Sequence, residues 1–165
     1  MSASEKQQLM ASLKDERART TRLLDAFPAS ASEMKPHPTS QAAREIAHTL
    51  CVEAVLGTMA LDGTLDMKKL SFPPAPATWS EVVKAFHKSY DKLYSVLEAT
   101  PDKELTKTTP FMTGPKQVGE VPRGEIVRFM LNDHIHHRGQ LSVYLRMSGS
   151  KVPSIYGPSK DEPWR

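Results

Sequence analysis

The stretch FMLNDHIHHRGQLSVYLR, residues 129–146, contains no proline and carries its chemistry on a helical period. Steps of four and three residues from Ile126 lead through Met130, Asp133, His137, Leu141, Tyr144 and Ser148, so these residues share one face of a helix. Met130 and Leu141 are apolar, which turns that face, and with it Asp133 and His137, toward a core. A core aspartate costs several kcal/mol unless a partner compensates its charge. A divalent metal does so, and a carboxylate and an imidazole one turn apart can hold a single ion. The HExxH motif, which uses the same spacing, is absent. A buried Asp133–His137 ion pair accounts for the spacing equally well, and His134, three residues before His137, competes with Asp133 for the role of ligand.

A further ligand must come from a facing helix. His48 opens a series with Val52, Val55 and Met59 on the same four-three-four steps. His48, Asp133 and His137 then form a two-histidine, one-carboxylate set that leaves metal positions open to water or substrate and admits Zn, Ni, Mn or Fe. A hydrogen-bonded core histidine is the plainer reading of His48. Cys51, one turn on, reads as a small buried hydrophobe rather than a nucleophile. His136 falls beside Asn132 and Gln140 on the outer side, and His87 lies between Lys84 and Lys88 in a solvated setting. Arg138 and Gln140 are candidate orienting groups, with Glu53 or Glu45 as alternative partners for Arg138. Tyr144 could offer its hydroxyl to a bound substrate or bond it to backbone within the core.

Prolines divide the rest of the chain. They spare four windows, Met1–Phe27, Thr39–Phe72, Ala77–Thr100 and Arg123–Val152, and a helix interior tolerates proline poorly. Leu9, Leu13, Thr20, Leu23, Leu24 and Phe27 in the first window recur at helical steps, as do Trp79, Val82, Phe86, Tyr90, Leu93 and Leu97 in the third. Ser2 or Ser4, Thr39 or Ser40, and Thr78 are candidate N-caps. Gly57 or Gly63 should weaken the second helix, and Gly149 should close the fourth. The expectation is one all-α domain over residues 1–165: a four-helix bundle with a long connection, Pro101–Val121, before the last helix and an extended tail over 153–165.

Composition narrows the function. The 165 residues hold 22 Lys plus Arg against 19 Asp plus Glu, a net charge of +3 that is dispersed along the chain, which argues against a nucleic-acid partner. The apolar stretch Ile46–Leu61 is broken by His48 and Glu53 and is too short for a membrane span. One cysteine and a charged start point to the cytoplasm. Phe129, Val143 and Met147 form a second apolar edge on the last helix, which suggests a homodimer.

The run Asn132-Asp-His-Ile-His-His-Arg-Gly-Gln-Leu141, with Tyr144-Leu-Arg146, Gly149 and Pro153 after it and Arg44-Glu-Ile-Ala-His48 far upstream, resembles the DinB-like (YfiT-like) metal-dependent proteins over nearly the whole chain. The resemblance implies a four-helix bundle, commonly a homodimer, whose metal is held by one histidine of helix two and two of helix four. These positions fall on His48, Asp133 and His137, and Asp133 departs from the family's histidine. Relatives include metal-dependent S-transferases that use low-molecular-weight thiols such as bacillithiol or mycothiol, and a thiol-dependent isomerase. The resemblance therefore implies a thiol S-transferase acting on a small-molecule substrate. A metal-dependent hydrolase or oxygenase and a non-catalytic metal-binding or structural bundle are the alternatives.

Overall fold

The computed structural model describes residues 4–164, and the candidate cap Ser2 lies outside them. Helix α1, Glu5–Ala26, starts at Ser4, whose hydroxyl accepts from the Gln7 N–H while the Gln7 side chain accepts from the Ser4 N–H. Helix α2, Ala43–Asp62, starts at Ala42 rather than Thr39 or Ser40. Thr39 is bonded to the His37 ring instead, and the Glu45 carboxylate accepts from the Ala42 N–H at 2.7 Å. Gly57 sits inside α2, and Gly63 closes it at φ 79°. Helix α3, Trp79–Ala99, carries a reciprocal Thr78–Glu81 cap.

The connection after α3 is more ordered than its prolines suggest. It holds a single turn, α4 at Asp102–Leu105, and an antiparallel hairpin, β1 at Thr108–Gly114 and β2 at Gln117–Pro122. Phe111, 2% exposed, anchors the hairpin by packing with Leu56, Leu65, Ile126 and Met130. Pro110 is tolerated because each strand of a two-stranded ribbon has a free edge. Helix α5, Arg123–Met147, completes the bundle, with Gly149 at φ 80° just beyond it. More than half of the described residues are helical, as the windows predict.

Cross-contacts give the helix directions. Glu5 meets Arg128 at one end and Arg22 reaches Ser154 at the other, so α1 and α5 run the same way. Trp79, at the start of α3, bonds the Leu24 carbonyl near the end of α1, so those two are antiparallel. Cys51 faces Val82 and Gly57 faces Leu93, which makes α2 and α3 parallel neighbours. The segment 63–78 must therefore travel back along the bundle. Its extended reach of roughly 50 Å exceeds the ~30 Å length of a helix the size of α2. Among the described residues no helix is long and apolar enough to cross a membrane.

Candidate metal centre

Helix α2 buries the stripe Ile46, Leu50, Glu53, Gly57 and Ala60, and this places a carboxylate inside the bundle. Across the seam, α5 presents Asp133 and His137 one turn apart. His137 Nδ1 lies 2.6 Å from Glu53 Oε1 and 3.7 Å from Asp133 Oδ1. Each of the three residues offers one ligand atom within 4.8 Å of the others, so Glu53, Asp133 and His137 form a candidate metal-binding group. Side-chain exposure rises from 3% at Glu53 to 19% at His137 and 38% at Asp133, which makes Glu53 the floor and Asp133 the mouth. The Glu53 hydrogen bond, helped by the Glu53 and Asp133 charges and opposed by burial, holds the His137 pKa above the ordinary histidine value.

Among the described residues Glu53 Oε2 is buried without a hydrogen-bond partner. His134 Nδ1 is 3.6 Å away, beyond hydrogen-bond range. A buried carboxylate oxygen left bare is costly, and a cation is a partner that three converging side chains can hold there. Two carboxylates and one imidazole are a sound donor set for a divalent first-row metal.

Two of the three ligands expected from sequence, Asp133 and His137, are brought together. His48 is not in the group. Five residues separate it from Glu53, about 140° around a helix, and it lines a cavity on the α3 side of α2. Burial and the charge of Arg44 lower its pKa. Glu53, like Asp133, is an acid on an apolar four-three stripe, with Ile46, Leu50, Gly57 and Ala60.

The buried face of α5 keeps Ile126, Met130, Leu141 and Tyr144 of the expected stripe and extends one position over through Val127, Leu131, His134, Arg138 and Leu145. Asp133 and His137 therefore sit at the edge of the core. His134, fully buried, uses both ring nitrogens, Nδ1 with the Tyr90 hydroxyl and Nε2 with the Thr20 hydroxyl, each at 2.6 Å. Those bonds commit it to a structural role. Arg138 pairs with neither Glu53 nor Glu45; it donates to Glu16 Oε2 at 2.5 Å and to the Tyr156 hydroxyl at 2.7 Å. Tyr144 donates to the Gln41 carbonyl, the backbone alternative. Gln140 and His136 bond each other at the surface. His87 is half-buried, 3.5 Å from Arg17, rather than freely solvated. Burial, with the Glu53 charge, pushes the Cys51 thiol up to about 12, so it is no nucleophile at neutral pH.

The DinB family model matches residues 1–165. The chain belongs to the DinB family. Its fold is similar to a DinB-like protein from Bacillus cereus ATCC 10987, with a TM-score of 0.73 and 21% identity over 90% of this chain and 95% of that one. It is also similar to YjoA, a DinB-like protein from Bacillus subtilis, with a TM-score of 0.69 and 19% identity over 88% and 96% of the two chains. Among curated proteins, YrdA of Bacillus subtilis (strain 168) is 29% identical over 90 residues, 54% of this chain and 51% of YrdA. The match thus spans about half of that relative's length.

Proposed function

We propose that this DinB protein is a metal-dependent enzyme that transfers a low-molecular-weight thiol to a small electrophile, with its divalent cation at Glu53, Asp133 and His137. The observation that supports metal dependence is the bare, buried Glu53 Oε2 beside two further donors. Such a cation, when bound, stabilises thiolate over thiol at neutral pH. The protein's part is to orient and shelter. Without the cation Glu53 holds the His137 ring in place through the 2.6 Å hydrogen bond, and binding would displace the shared proton. Asp133, partly exposed, leaves the open side facing solvent, where a substrate can enter.

A second reading, hydrolysis, draws support from the donor set. Carboxylate oxygens suit hard cations, which favour water over sulfur. The deciding experiment loads the protein with Zn, Ni, Mn or Fe and offers an alkylating bimane with and without a panel of thiols. Metal-dependent product that requires a thiol supports transfer, whereas ester cleavage without thiol supports hydrolysis. No activity with any metal, in a protein that binds one, leaves a non-catalytic metal-binding bundle. A cytoplasmic homodimer completes the proposal: Phe129, Val143 and Met147 are 52%, 56% and 51% exposed on α5, and sedimentation equilibrium would detect their pairing.

A further inference from the structure

The groove between the parallel helices α2 and α3 is roofed by the returning segment 63–78, and a cavity of about 490 Å³ lies beneath it. That is within the usual range for small-molecule sites. None of Glu53, Asp133 and His137 lines it. Its body is apolar: Val52, Val55 and Met59 come from α2, and Leu70 and Phe72 from the roof. Its charge is one-sided. Lys69, Lys88 and Lys92 line it, and no Asp or Glu does. Lys69 is tied to Asp66 at 3.3 Å. Lys88 and Lys92 are one turn apart on α3, and neither forms a salt bridge among the described residues.

The polar groups inside sort in the same way. Cys51 spends its thiol hydrogen on the Ala47 and Val82 carbonyls and acts as apolar wall. His48, half-buried, has no hydrogen-bond partner among the described residues. An apolar slot with two free ammonium groups at its rim is complementary to a ligand with an alkyl body and a single anionic end.

We propose that this cavity binds a medium-chain carboxylate, its alkyl chain against Val52, Val55, Met59 and Phe72 and its carboxylate between Lys88 and Lys92. The site is separate from the metal centre, so the two readings stand or fall independently. Calorimetric titration of the full chain with decanoate, 1-decanol and acetate tests it. Decanoate should bind at one per chain and more tightly than 1-decanol, and acetate should not bind measurably. The double substitution Lys88→Ala, Lys92→Ala, at exposed positions of α3, should weaken decanoate by about fivefold to tenfold and leave 1-decanol and the circular dichroism unchanged. Raised salt should weaken decanoate alone. His137→Ala should bind decanoate as the unaltered protein does. Decanoate binding no tighter than 1-decanol, unchanged in the lysine variant, unsaturable, or lost in His137→Ala would overturn the proposal.

Discussion

Two polar clusters lie side by side in this bundle, and they differ in how well they are satisfied. Around Arg138 every group has its partner. Glu16 accepts from Arg138, Arg19 and Tyr156, while His134 next to them is bonded on both ring nitrogens. Around Glu53 the account does not close: one oxygen is bonded to His137 and the other is bare. Both clusters contain a nearly buried glutamate, Glu16 at 6% and Glu53 at 2% exposure, so burial alone does not separate them. Completeness does. A closed network fixes helix packing, and an open one is available to a ligand.

The largest expected effect comes from breaking the closed cluster. Glu16→Ala leaves the Arg138 guanidinium buried and short of its anion, which should cost about 3–5 kcal/mol in denaturant unfolding. Acid should do the same more gently. Burial pushes the Glu16 pKa up, yet the Tyr156 and Arg138 hydrogen bonds and the Arg138 and Arg19 charges outweigh it, so the folded-state value lies below 4.5. A depressed carboxylate adds stability above its unfolded pKa and loses it as pH falls through the folded one. Stability of the unaltered protein should therefore drop below about pH 4.5, and that drop should be smaller in Glu16→Gln.

His134→Leu comes next. It strands the Tyr90 hydroxyl and leaves the Thr20 hydroxyl only its bond from Arg138, with an expected loss of about 2–3 kcal/mol and no loss of metal binding. Glu53→Gln should change unfolding free energy least, by about 1 kcal/mol or less, because the amide oxygen can still accept from His137 Nδ1–H and the other position has no partner to lose. A large destabilisation by Glu53→Gln in metal-free protein would erase the contrast between the clusters.

The helices are legible because prolines, caps and closing glycines are local signals: Ser4, Thr78, Gly63 and Gly149 act where their neighbours say they should. The hairpin is not legible because Pro110 reads as a breaker, and its anchor Phe111 packs with Leu56 and Leu65, far back in the chain, as well as with α5. Asp133 and His137 were legible from their i,i+4 spacing. Glu53 carries a signal of its own, an acid on an apolar stripe, but whether it or His48 meets α5 depends on the rotation of α2 in the bundle. Glu16 fills the gap between Leu13 and Thr20 on the buried face of α1, yet an acid among basic neighbours gives no local sign of burial. Burial of Arg138 on the neighbouring helix brings it inside.

The most direct test of the central claim is the metal content of the purified protein after loading and desalting, measured by elemental analysis for the unaltered chain, Glu53→Gln and His137→Ala. The expected result is one divalent ion per chain in the first and a loss of affinity of tenfold or more in both variants, with circular dichroism unchanged. Equal metal content in all three folded proteins, or none in the unaltered chain under any of the four metals, would contradict the assignment of Glu53, Asp133 and His137 as the metal centre.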